Sequence, residues 1–128
     1  MSEFTRRACM LGLASGIAGC SQAGEAMVRI NVQDQVLTAF RDGLVRFART
    51  QLLRIMWSAQ YGYYLDGWGM HIDVDSFSPS ANGRTEYDAF FCPGMFWRAS
   101  PEHIQGVADT LVRAMNSISG ITAFKDTR

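Results

Sequence analysis

His71, Asp73 and Asp75 stand at two-residue spacing in this 128-residue chain. In an extended strand, alternate side chains share one face at steps of roughly 7 Å. One imidazole and two carboxylates would therefore project together, a donor set that suits several divalent cations. Asp66, Glu86 and Asp88 enlarge this acidic middle, where residues 58–90 hold five acids against one base, Arg84. A calcium loop does not fit, because Phe77 occupies an oxygen-ligand position and Arg84 the position of the bidentate acid. The preferred reading of the cluster is a solvated sheet face whose acids discourage edge pairing.

Cys92 with His71 or His103 would make a thiol–imidazole pair for acyl transfer. No nucleophile motif surrounds Cys92, however, and Pro93 follows it directly. A buried free cysteine behaves as a small apolar residue, and that is the expectation for Cys92. The glycines at 62, 67 and 69 precede no helix and cannot cradle a phosphate on a helix terminus. Nothing in the chain calls for a cofactor. Ten of the fifteen aromatic residues lie between 58 and 97. Tyr64, Phe77, Phe96 and Trp97 are the hardest of these to place inside, and an exposed aromatic group marks a partner or glycan site. The pair Trp97-Arg98, just before a helix cap, is the preferred binding candidate, with Phe77 and Tyr64 beside it.

The elements that must position these residues follow from periodicity. Val28, Ile30 and Val32 alternate with Arg29, Asn31 and Gln33, which predicts a strand over 27–33. Asp34 is placed to cap a helix. Leu37, Phe40, Leu44, Phe47, Ala48, Leu52 and Ile55 recur at three and four residues and predict an amphipathic helix. Asp66-Gly67 predicts a two-residue hairpin turn. That turn sets Leu65 opposite Trp68, Tyr63 opposite Met70, Tyr61 opposite Ile72 and Ala59 opposite Val74, all on one apolar face. A loop over 76–84 and a third strand over 86–92 come next. Ser100-Pro101-Glu102 reads as a helix start, with a capping hydroxyl, proline at the first position and an acid at the positive end of the dipole. Ile104, Val107, Ala108, Leu111, Met115 and Ile118 form its stripe, and Ile121–Phe124 is a last strand. The expected class is α+β: a small antiparallel sheet with two amphipathic helices on one face. The order fits a ferredoxin-like βαββαβ arrangement with an insertion at 76–99.

Twelve basic and twelve acidic side chains leave no net charge and no basic run, which argues against a nucleic-acid partner. At the amino terminus, Arg6-Arg7 precede twelve residues without charge, Ala8 to Gly19, and Cys20 follows. A positive start, a short apolar segment and small residues before a cleavage point make a secretory signal. Ile17-Ala18-Gly19-Cys20 resembles the lipobox of bacterial lipoproteins, a likeness confined to the first twenty residues. Thr5-Arg6-Arg7-Ala8-Cys9-Met10 also resembles a loose twin-arginine signal, so the export route stays open.

The lipobox resemblance implies diacylglycerol transfer to the Cys20 thiol, cleavage before it and acylation of the new amino terminus. Residues 1–19 would then be a signal peptide, 20–26 an acylated tether, and 27–128 a single α+β domain. Ser21 after the cysteine implies sorting to the outer membrane, with the domain facing the periplasm. With Cys20 acylated, Cys92 would be left alone and no disulfide would be available. The functional expectation is a lipid-anchored, noncatalytic envelope module that binds a protein partner or cell-wall material through 76–99. The alternative is a small metal-dependent or Cys/His hydrolase using His71, Asp73, Asp75 or Cys92.

Overall fold

A computed structural model of the chain describes residues 26–58, 62–76 and 81–126. Cys20 with its signal and the tether up to residue 25, Ala59, Tyr61 and Phe77 lie outside the described residues. Strand β1 (Ala26–Gln33) leads through a 3-10 turn (Asp34–Val36) into helix α1 (Leu37–Thr50). A four-strand meander follows: β2 (Arg54–Ser58), β3 (Gly62–Gly67), β4 (Met70–Asp75) and β5 (Arg84–Pro93). Helix α2 (Pro101–Asn116) and strand β6 (Ile121–Asp126) complete the domain. The described strands form one antiparallel sheet in the order β2-β3-β4-β5-β1-β6.

The fold is α+β, with two amphipathic helices on one face of an antiparallel sheet. β5, α2 and β6 form a split βαβ unit with β1 between its two strands, as in a ferredoxin-like sheet. The sheet has six strands rather than four, however. The segment expected as an insertion at 76–99 contains β5, which pairs with both β1 and β4 and lies near the middle of the sheet.

The alternating side chains of β1, β3, β4 and β5 bury Val28, Ile30, Val32, Leu65, Ile72, Val74, Ala89 and Phe91 against the helices. Phe40, Leu44 and Phe47 of α1 and Ile104, Leu111 and Met115 of α2 close that core. Phe40 packs edge-on against Tyr63 and face-tilted against Tyr87, at centroid distances of 5.9 and 4.6 Å. Gly43 is buried where α1 passes α2. A Cβ there would stand 2.7 Å from Cδ1 of Ile118 and 3.3 Å from Cε of Met115. The glycine that weakens α1 as an isolated helix thus lets the two helices approach.

Three local expectations are corrected. The helix stripe does not run on to Ile55. α1 stops at Thr50, the chain reverses through Gln51-Leu52 with Leu52 at φ 59°, and Ile55 belongs to β2. Asp34 is not the N-cap residue of α1, a position taken by Val36; it opens the 3-10 turn, and its carboxylate accepts the Thr85 hydroxyl at 2.7 Å. The hairpin turn is Trp68-Gly69, not Asp66-Gly67, so Gly67 faces Met70, Leu65 faces Ile72 and Tyr63 faces Val74. Both turn residues have positive φ, 54° and 78°, as a type I′ turn requires. By contrast, the start of α2 is as expected: Ser100 Oγ accepts the His103 N–H at 3.1 Å, with Pro101 and Glu102 in the first turn.

The antiparallel pairing gathers distant parts of the chain at one end of the sheet. Ala26 lies opposite Phe91, Met27 opposite Asp126, Met70 opposite Pro93, and Arg54 opposite Asp66. The start of β1, the Trp68-Gly69 turn, the residues after Pro93 and the end of β6 therefore share that end. α1 starts at the far end and returns, which brings Leu52 to the same place.

Candidate functional site

The sheet face turned away from the helices carries the residues with chemical potential. His71 and Cys92 are cross-strand neighbours there, and Asp66 lies on the other side of His71. Tyr64 stacks on the imidazole with centroids 5.6 Å apart. Arg54 grips Asp66 with two N–H donors, at 3.1 and 2.9 Å. His71 Nε2 and Asp73 Oδ2 stand 4.0 Å apart, too far for a strong bond. Burial of the imidazole lowers its pKa and outweighs the Asp66 charge, which acts in the opposite sense. The neutral ring is the form a metal would need. Yet among the described residues no three His, Cys, Asp or Glu side chains are grouped to hold an ion. Asp75 sits one pleat further on, opposite Asp88.

Cys92 is corrected in one respect. It is disulfide-bonded. Its side chain is 1 % exposed, and Met27 on the same face is 5 % exposed, so this face is not simply wet. A sulfur held in a disulfide is not a thiolate nucleophile. His71 and Cys92 are the neighbours that the thiol–imidazole alternative requires, and that pair lacks an attacking group only while the disulfide holds. His103 is exposed in the first turn of α2, beyond the loop that follows Cys92's strand.

The second site is built at the end of the sheet where the chain enters β1. Trp97 and Arg98 are exposed there, as expected from their position before the cap. Phe96, also expected to be hard to bury, is 97 % exposed and Trp97 61 %; Leu52, Trp68 and Met95, which sequence pattern does not single out, are each more than half exposed. Trp68 and Trp97 meet edge to face with centroids 5.9 Å apart. The carbonyl of Gly69 accepts the N–H of Gly94 at 2.7 Å and that of Ala99 at 2.9 Å, which ties the loop 94–99 to the turn. A Cβ at Gly69 would come within 2.8 Å of the Ala99 nitrogen. The loop and the turn are therefore fastened backbone to backbone, and the large side chains are left pointing outward.

Of the four binding candidates, the structure brings Trp97 and Arg98 together. Tyr64 is half-buried on the open sheet face beside His71, away from them, and Phe77 lies outside the described residues. No known protein family and no characterised protein matches this chain. Exposed apolar side chains, held by a rigid backbone and without a nucleophile–base pair, suit docking rather than chemistry.

Proposed function

We propose that the chain is the precursor of a lipid-anchored protein of the bacterial cell envelope, whose folded domain is a noncatalytic docking module. The anchor is Cys20, and the docking surface is the sheet end formed by Leu52, Trp68, Met95, Phe96, Trp97 and Arg98. One observation carries the reading: these residues come from three separate connections and converge at the end of the sheet where residues 20–25 join β1. The lipobox-like Ile17-Ala18-Gly19-Cys20 supplies the tether, and Ser21 favours the outer membrane on its periplasmic side. A formal charge of zero gives no ground for a nucleic-acid partner.

The test is metabolic labelling of the full chain with a fatty acid in a bacterial host, alongside Cys20→Ala. Label on the wild type, absent from the variant, with a mature amino terminus at Cys20, is the expected result. A full-length, unlabelled protein still beginning with Met1 in the cytosol would overturn it.

A further inference from the structure

We infer that the bilayer itself is the partner of the apolar sheet end: Leu52, Trp68, Met95, Phe96 and Trp97 rest in the headgroup and upper acyl region beside the Cys20 lipid. This rests on the anchoring of Cys20 proposed above and names what the docking surface meets.

Reach is the first argument. Only six residue steps separate Cys20 from Ala26, where β1 begins. A fully extended chain spans at most about 3.5 Å per residue, so the tether allows roughly 20 Å. β5, with ten residues, takes the opposite end of the sheet roughly 30 Å further away. The end bearing the aromatic side chains is the one held next to the membrane.

Composition is the second. Indole rings favour the membrane–water interface, where an apolar body and a polar N–H are both satisfied. Phenylalanine, leucine and methionine add apolar area that enters the acyl boundary. The segment Gly94–Ala99 contains no acid and one arginine, Arg98. Arg49 is exposed at the same end and suits anionic headgroups. Of the described acids there, Asp66 is paired with Arg54 and Asp126 with Arg29, which leaves Glu102 in the first turn of α2; Glu25 of the tether adds one more.

Rigidity is the third. The paired bonds to the Gly69 carbonyl and the left-handed turn at Trp68 hold the rings outward, so little ordering is required on contact. Trp57 provides an internal reference. It sits further along β2, on the helix side of the sheet, with the Arg41 guanidinium 4.0 Å over its ring.

The experiment uses the mature acylated protein, purified in detergent and reconstituted into vesicles of phosphatidylethanolamine and phosphatidylglycerol with brominated acyl chains. Three proteins each retain one tryptophan, the other two being changed to phenylalanine. Emission from Trp68 and Trp97 is expected to be quenched by bromolipid at least twofold more than emission from Trp57. The intact mass of the same sample reports the acyl groups. An acylated Cys20 with Trp68 and Trp97 no more quenched than Trp57 overturns this proposal alone and leaves the surface to a protein or glycan. An unmodified Cys20 overturns the anchoring, and this proposal with it.

Discussion

Trp68 and Trp97 touch edge to face, at an interplanar angle of 72°, although one belongs to a hairpin turn and the other to the loop before α2. Each ring is still more than half exposed, and so is that of Trp57, the third tryptophan of the chain. Folding therefore leaves more than half of each tryptophan in contact with water. In detergent-free solution, the emission maximum of the native protein should lie close to that of the unfolded chain, and aqueous iodide should quench it. Unfolding followed by tryptophan emission should show a small wavelength shift, whereas far-ultraviolet ellipticity reports the full transition. A strongly blue-shifted native spectrum would contradict this arrangement.

Gly69 determines whether that contact exists. Its φ of 78° belongs to the left-handed region, and its missing Cβ makes room for the backbone of Trp97 to Ala99. Gly69→Val should cost about 2–4 kcal/mol, combining left-handed strain with a backbone collision that no rotamer relieves. Gly83→Ala is the comparison: its φ is 73°, but open space surrounds the added carbon, so only about 1 kcal/mol of strain is expected. Chemical denaturation of the two variants measures the difference. Equal losses would mean that the loop is not held by its approach to Gly69.

The hairpin shows why alternation predicts a face better than a turn. Moving the turn from Asp66-Gly67 to Trp68-Gly69 shifts the pairing by an even number of residues, so Tyr63, Leu65, Met70, Ile72 and Val74 keep the core side in both versions. Trp68 does not keep it, since it moves from a strand to a turn tip and becomes exposed. A bulky residue in the left-handed region is uncommon, and local preference points to aspartate–glycine instead. What favours the observed turn is tertiary: Gly69 receives the loop 94–99, and β2 pairs with β3 as far as Asp66. Leu52 was hidden for a related reason. Its spacing from Ala48 and Ile55 matches a helical stripe, while the alternation of Ile55 and Trp57 with Arg54 and Met56 marks the strand that ends it. Trp97 and Arg98 were readable because the Ser100-Pro101-Glu102 start leaves no regular element to bury them.

The same start supports a stability prediction. Ser100 Oγ satisfies the free N–H of His103, and α2 supplies Ile104, Leu111 and Met115 to the core. Ser100→Ala should cost about 1 kcal/mol, and Ser100→Asp should retain most of the stability because its carboxylate can accept the same bond. Thermal melts of the three proteins check this. An alanine variant as stable as the wild type would show that Pro101 and burial alone hold the helix start.

Cys92 links the fold to the fate of the amino terminus. The other cysteines of the chain are Cys9 and Cys20. Under the proposed processing, cleavage before Cys20 would remove Cys9, and acylation would turn the Cys20 sulfur into a thioether. The acylated protein should therefore carry Cys92 as a single thiol, alkylated only after denaturation because its side chain is 1 % exposed. In the unprocessed chain, alkylation of Cys92 should require a reductant as well. Mass analysis of the Cys92 peptide with and without reductant distinguishes the two. A Cys92 disulfide persisting within the acylated monomer would be incompatible with a thioether at Cys20.

His71 makes the domain sensitive to acid. Burial under Tyr64 disfavours the imidazolium, and the attraction of Asp66 offsets this only in part. The folded protein therefore binds this proton less readily than the unfolded chain, whose histidine titrates near the usual value of about 6.5. Stability contributed by the neutral ring is fully present above that value and is lost as pH falls towards the lower pKa of the folded state. The melting temperature should drop between pH 7 and pH 5. In His71→Gln, which cannot gain a proton, the drop should be smaller, even if the variant is less stable at pH 7. Melts of both proteins at pH 7, 6 and 5 decide the matter. Parallel profiles would show that other groups govern the acid response, and a rise on acidification would mean that the Asp66 and Asp73 carboxylates outweigh the burial.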